Sequence, residues 1–181
     1  FGKREHWDRA RSLNHFFLGA EAGPYRFEPG NVNHELTASL PGILEHLLAV
    51  DAELFPGPVP AEGERLRRIW SAIAAHESML VHPLLDLLAN RPGVRVLGER
   101  DASSARRVAT VGFTVEGRDS AAFTAALDPQ GIAIRHGHFY AYRAAEALGI
   151  LATNGVVRVS MAHYNTLDEV QRLVHALEPL L

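Results

Sequence analysis

Residues 155–161 read Gly-Val-Val-Arg-Val-Ser-Met, a run in which β-branched side chains surround a single arginine, Arg158. Such a run predicts an interior β-strand, because branched side chains pack well on a pleated surface. A guanidinium group is unfavourable there unless it meets an anion, and arginine is well shaped to hold a carboxylate through two parallel hydrogen bonds. Arg158 is therefore a candidate carboxylate-binding residue. The alternative is an edge-strand arginine that reaches solvent.

The rest of the second half alternates short strands and helices. Strands are predicted over residues 94–97, 107–115, 131–135 and 155–161, and helices over 119–127, within 136–148, and from Thr166 onward. The last helix begins at Thr166 because Glu169, three residues later, completes a capping box. The spacing of apolar residues changes between a period of two, typical of strands, and a period of 3.6, typical of helices. This pattern favours a small sheet covered by helices, which is an α/β class with an α+β small domain.

The first half is predicted to be helical. Asn33 is a good N-cap for a helix from His34 to about Val50, which Pro41-Gly42 should kink or break. A long helix should run from about Ala61 to Ala89, and Pro83 should kink it or start a second segment. The Pro/Gly-rich stretch between these helices is the best linker, so we expect two domains, residues 1–58 and 59–181.

Composition excludes several classes of function. The chain has 181 residues, 47% of them hydrophobic, a net charge of −3 and no cysteine. This excludes a disordered chain, a disulfide scaffold and a thiolate metal site, and it provides no strongly basic face for nucleic acid. Its longest stretch without a charged residue, Ala147 to Val157, is too short to span a membrane. We expect a cytoplasmic protein with neither nucleic acid nor membrane as a partner.

The histidines do not form a metal-binding pattern. His76-Glu77 begins like a zinc-protease motif, but Leu80 stands where the second histidine ligand belongs. His136 and His138 are two possible ligands without a third partner nearby in the sequence. We therefore expect no metal.

Two further stretches are candidate binding sites. Asn31 lies between Glu28-Pro29-Gly30 and the helix that follows Asn33, where free backbone N–H groups suit a phosphate; the alternative is an ordinary capped turn. The segment Arg135-His136-Gly137-His138-Phe139-Tyr140-Ala141 joins a strand to a helix. Loops of this composition often line sites, although a packed corner is equally consistent with the pattern.

These stretches together resemble one family. Residues 131–141, and Arg158-x-Ser160-x-x-x-Tyr164-Asn165-Thr166 with Glu169 after it, resemble the small domain of pyridoxal-phosphate enzymes of aminotransferase class V. The resemblance is to the cysteine desulfurase-like branch, with the SUF-type desulfurases and selenocysteine lyases. The stretch from Arg26 to Gly30 is similar to the end of that family's large domain.

The resemblance implies roles for individual residues. Arg158 would hold the substrate's α-carboxylate, and Asn31 occupies the place of a threonine that contacts the partner subunit's cofactor phosphate. His136, His138 and Tyr140 would line the substrate site. Tyr140 stands where desulfurases carry their persulfide-forming cysteine, and a phenol cannot accept sulfur as a thiolate does. We expect its ring to pack at the mouth of the site.

The resemblance also implies a fold and an activity. Residues 1–58 would end the large cofactor-binding domain, and residues 59–181 would form the connecting helix and small domain. Lys3, the only lysine, matches a position just after the family's lysine segment. We therefore expect a fragment with no catalytic residue of its own, its Schiff-base lysine lying upstream of Phe1. The parent would be a homodimer with shared active sites, performing lyase or transaminase chemistry on an amino acid with pyridoxal 5'-phosphate. The alternative is a non-catalytic remnant or interaction module.

Overall fold

The computed structural model describes residues 2–12, 16–19, 23–28 and 30–181. The chain divides into two compact units, Phe1–Pro58 and Val59–Leu181. That the first unit ends a larger cofactor-binding domain stays a prediction. Pro29, half of the predicted Pro-Gly turn, and Phe1 lie outside the described residues.

Helices and a short 3₁₀ turn form the described part of the first unit. The helices are α1 (Arg4–Arg9), α2 (His34–Ala38) and α3 (Leu40–Leu54), and the 3₁₀ turn spans Gly23–Phe27. The Asn33 side chain caps α2 as predicted, accepting a hydrogen bond of 2.8 Å from the backbone N–H of Leu36. The break falls at Ser39 rather than at Pro41-Gly42, because proline is tolerated in the first turn of a helix and Pro41 lies in the first turn of α3.

Helix α4 (Glu62–Ala89) opens the regular structure of the second unit. It continues through Pro83, which cannot donate the backbone hydrogen bond that an interior helical residue normally makes. Leu80 and Leu84 on either side of Pro83 are fully buried. Burial of this apolar face stabilises the helix against the loss of one hydrogen bond.

Within the described residues, four antiparallel strands form one sheet in the order β1-β2-β4-β3. They are β1 (Val94–Leu97), β2 (Thr110–Val115), β3 (Arg135–Gly137) and β4 (Val156–Ser160). The strand predicted at residues 131–135 is therefore misplaced. Gly131 has a positive φ of 68° and the N–H of Ile132 bonds to the carbonyl of Leu127, so this segment closes the preceding helix instead.

One face of the sheet is covered by helices. Helices α4, α5 (Ser120–Leu127) and α7 (Leu167–Leu177) pack on it, and α6 (Tyr142–Ala147) follows β3. The core joins strand residues such as Val111, Phe113 and Val157 to helix residues such as Phe123 and Leu173. This arrangement confirms the predicted α/β class with a small helix-covered sheet. Among the described residues, no helix has the length and apolar character needed to cross a membrane.

A capping box begins α7, as the sequence predicts. The Thr166 hydroxyl accepts the backbone N–H of Glu169, and the Glu169 carboxylate accepts the backbone N–H of Thr166 at 2.8 Å. The Asn165 amide also donates to this carboxylate, at 3.1 Å. The hydrogen bonds from the Thr166 backbone and the Asn165 side chain lower the pKa of Glu169 below its ordinary 4.5.

This lowered pKa predicts how stability depends on pH. A carboxyl whose pKa is depressed by folding stabilises the protein above its unfolded-state pKa, and the contribution is lost as pH falls through the folded pKa. Glu169→Gln should therefore reduce the loss of unfolding free energy between neutral pH and acidic pH below 4.5. Urea titrations at several pH values measure how steeply the free energy of unfolding falls as the pH is lowered. Glu146→Gln, which removes an exposed carboxylate on α6, is the control. Equal slopes in wild type and Glu169→Gln would contradict the prediction.

Candidate functional site

Arg158 lies at the centre of β4, on the sheet face opposite the core. Its neighbours Val157 and Val159 are buried in the core, and successive side chains of a strand alternate between faces. Arg158 pairs with Gly112 of β2 on one side and with Arg135 of β3 on the other. The edge-strand alternative is thus excluded, since β4 is an interior strand.

The Arg158 guanidinium group is half-buried and incompletely satisfied. Its Cζ lies 4.0 Å from the centroid of the Phe139 ring, within the range of a cation–π contact. Its Nε is buried and has no hydrogen-bond partner among the described residues. An aromatic face attracts the charge but does not replace an acceptor for each N–H group. A buried guanidinium N–H group without an acceptor is unfavourable, so this geometry favours binding of an anion.

The loop after β3 supplies the Phe139 ring through an unusual backbone. Phe139 and Tyr140 both have positive φ, 49° and 62°, a region that side-chain-bearing residues rarely adopt. Such strain often accompanies functional loops. Tyr140 is fully exposed, at 102% of its reference area, so its ring packs against no other described residue, and its place at the mouth of the site stays a prediction. The left-handed backbone directs this side chain to solvent and places Phe139, a residue with no signal in the sequence, against Arg158.

The two loop histidines have different surroundings. Residues 136–140 line one surface cavity together with Asn154. His138 is exposed, and its ring meets that of Tyr142 edge to face at 5.8 Å between centroids. The ring of His136 instead faces α5, where its Nδ1 lies 2.6 Å from the Thr124 hydroxyl oxygen. His136 pairs with core-facing Val157, so the structure does not bring its side chain to the face of Arg158.

Two glycines hold this loop against β4. A Cβ on Gly155 would lie 2.2 Å from the backbone carbonyl carbon of Gly137, so the two backbones approach too closely for any side chain. Gly155 also has a φ of +77°. Its carbonyl accepts hydrogen bonds from the hydroxyls of Ser120 and Thr153. The Asn154-Gly155 dipeptide signals a turn in the sequence, but it does not identify the contact with Gly137.

In the motif that runs from Arg158 to Thr166, Asn165 stabilises the turn before α7. The Asn165 side chain accepts the backbone N–H of Ala162 at 2.9 Å and donates to Glu169. Its backbone carbonyl lies 2.9 Å from Nε2 of His76 on α4. His76 therefore connects the long helix to the turn before α7, and Asn165 organises that turn.

Asn31 lies in the first unit, exposed in the irregular segment before α2. Its contact with a cofactor phosphate stays a prediction.

The chain is similar to known proteins along its whole length. The aminotransferase class-V family model matches residues 68–173. The aminotransferase-like protein FGM3 of Gibberella zeae is 34% identical over 182 residues, covering 100% of this chain and 42% of that protein. A probable cysteine desulfurase of Pseudomonas putida is 35% identical over 155 residues, covering 86% of this chain and 32% of that protein.

A solved structure shows the same similarity in three dimensions. The apo structure of a cysteine desulfurase from Thermococcus onnurineus NA1 superposes with a TM-score of 0.61 at 27% identity. The alignment covers 94% of this chain and 36% of that one. The chain thus spans less than half the length of these relatives.

Proposed function

Because this chain belongs to the aminotransferase class V family, with a cysteine desulfurase-like fold, we propose that it supplies the substrate-carboxylate site of a pyridoxal-phosphate enzyme. The substrate is an amino acid, and the reaction is of the lyase or transferase type. The enzyme is a cytoplasmic homodimer with shared active sites. The net charge of −3 supports a small-molecule substrate rather than nucleic acid.

The observation that carries this proposal is the buried Nε of Arg158, which has no hydrogen-bond partner among the described residues. A carboxylate accepts two N–H bonds from arginine in one plane, and this fork geometry orients the bound molecule. The Phe139 ring at 4.0 Å covers one side of the guanidinium group and limits the directions from which an anion can approach. His138 and Tyr140 on the same exposed loop are proposed to line the route to Arg158.

The residues of this chain suit binding of the substrate carboxylate. They do not provide a lysine placed to bind the aldehyde group of the cofactor. Lys3, the only lysine, is exposed before α1. We propose that the cofactor-binding lysine belongs to a part of the protein outside this chain, since the relatives are more than twice as long. When bound, pyridoxal phosphate supplies an electron sink. Asn31 is the proposed hydrogen-bond donor to its phosphate from the other subunit.

The loop chemistry also bears on the reaction. The chain contains no cysteine, and the exposed phenol of Tyr140 occupies the loop position that the resemblance assigns to a sulfur-accepting thiol. A phenol is not a thiolate nucleophile. We therefore propose amino-acid chemistry without persulfide formation on this loop.

We expect that the 181-residue chain alone forms no stable lysine adduct with pyridoxal phosphate. The physical reason is that Lys3 is a solvated amine with no buried site around it. Incubation with stoichiometric cofactor, borohydride reduction and intact mass spectrometry measure the adduct. Lys3→Arg provides the background control.

The same reaction on the whole protein tests the proposal itself. One trapped cofactor per subunit, on a lysine outside this chain, is the expected result. Stoichiometric labelling of Lys3 in the isolated chain would contradict the assignment of the cofactor lysine. A whole protein that traps no cofactor would contradict the enzyme proposal and favour the interaction module.

A further inference from the structure

Arg158 has a second arginine directly opposite it. In the antiparallel ladder Arg135 of β3 pairs with Arg158 of β4, and paired residues project to the same face of a sheet. The alternation of side chains along β3 gives the same result. Ile134 faces the core and His136 faces the Thr124 hydroxyl, so Arg135 between them projects to the opposite face. The two arginine side chains therefore leave the same face of the sheet at directly paired positions, and Arg135 also borders a surface cavity that includes Asp128.

Nothing in the surrounding sheet neutralises this pair. The four strands contain no aspartate or glutamate. In the parts of the chain that the structure describes, neither Arg135 nor Arg158 forms an ion pair. A third arginine on this face, Arg95, is already engaged, donating to the carbonyl of Leu148 at 3.1 Å. Like charges directly opposite each other destabilise a sheet.

The space beside the pair is open on its other side. Gly112, the β2 partner of Arg158, has no side chain, and a Cβ there would touch only Val156 at 3.8 Å. Beyond it, the hydroxyls of Thr110 and Ser160 lie 3.4 Å apart. The β2 position next to Arg158 therefore places no side chain over the guanidinium group.

We propose that Arg135 and Arg158 form a two-anion site, and that the substrate is an amino acid with a second acid group on its side chain. This rests on the proposed function, in which Arg158 holds the α-carboxylate. Arg135 then holds the side-chain acid and determines specificity. Directly paired residues have Cβ atoms about 5 Å apart, which suits two acid groups separated by a few carbon atoms.

Isothermal titration of the chain with succinate and with butyrate tests this inference. The two probes have the same number of carbon atoms and differ in the second carboxylate. The titrations compare wild type, Arg135→Gln, Arg135→Lys and Arg158→Gln at one ionic strength. Arg100→Gln, which removes an exposed arginine outside the sheet, is the matched control for net charge.

Wild type should bind succinate about tenfold more tightly than butyrate, a factor that corresponds to about 1.4 kcal/mol. Arg135→Gln should abolish this preference while butyrate binding stays within about twofold, and Arg135→Lys should recover part of it. Arg100→Gln should leave the preference unchanged. An unchanged preference in Arg135→Gln, or no preference in wild type, would overturn the two-anion site. Unchanged butyrate binding in Arg158→Gln would overturn the carboxylate site of the proposed function instead.

Discussion

Replacing Arg158 with alanine is expected to lower kcat/KM of the whole enzyme for its amino-acid substrate by about tenfold to a hundredfold. A charged hydrogen bond contributes about 1.5–3 kcal/mol, and each 1.4 kcal/mol is a factor of about ten. The loss should appear mainly as a higher KM, because the contact binds a group that does not itself react. Steady-state kinetics over a range of substrate concentrations measure both parameters.

A conservative variant separates charge from geometry. Arg158→Lys keeps the positive charge but not the planar pair of donors, so we expect only partial recovery of KM. Arg100→Gln, at an exposed arginine outside the sheet, should retain wild-type kinetics. Wild-type kinetics in Arg158→Ala would mean that the unsatisfied guanidinium group serves no substrate. Circular dichroism of each variant confirms that the sheet is intact.

Gly155→Ala is expected to lower the free energy of unfolding by about 2–5 kcal/mol. About 1–2 kcal/mol arises from a side chain in the left-handed region, and about 1–3 kcal/mol from crowding in a packed interior. The crowding is specific, because the new Cβ would lie 2.2 Å from the backbone of Gly137. The change should also displace the loop that presents Phe139 to Arg158. Denaturant unfolding measures the loss.

Gly149→Ala is the matched control for this measurement. Gly149 has a φ of +69°, close to the +77° of Gly155, but a Cβ there has nothing within 4 Å. Gly149→Ala should therefore lower the free energy of unfolding only by the backbone contribution of about 1–2 kcal/mol. The difference between the two variants isolates the contact between Gly137 and Gly155. Equal losses would show that this close approach does not constrain the fold.

Local sequence patterns predicted most helix boundaries and two of the strands closely. Thr166 and Glu169 begin α7 because the capping box satisfies backbone N–H groups within four residues of chain. The strand predicted at residues 131–135 failed for a different reason. Gly131 and Ile132 close the end of α5, and the strand begins only where Arg135 meets its partner Arg158. Strand pairing depends on a partner distant in sequence, which a local pattern does not contain.

The site shows the same division between local and tertiary information. Arg158 was identifiable because a charge within a β-branched run conflicts with burial. His136 and His138 are two residues apart in the sequence, yet one bonds to α5 and the other is exposed at the loop. Phe139 carried no sequence signal. Its place over Arg158 follows from consecutive left-handed residues.

The sequence by itself determined the family, the alternation of helices and strands, and Arg158 as the residue for an anion. These depend on side-chain chemistry and on spacing within a few turns of chain. The tertiary structure decided which groups meet. Antiparallel pairing placed Arg135 beside Arg158, and the absence of side chains at Gly137 and Gly155 let two backbones approach and position Phe139. The physical reason is that such contacts join residues about 20 positions apart, so their geometry exists only once the sheet has formed.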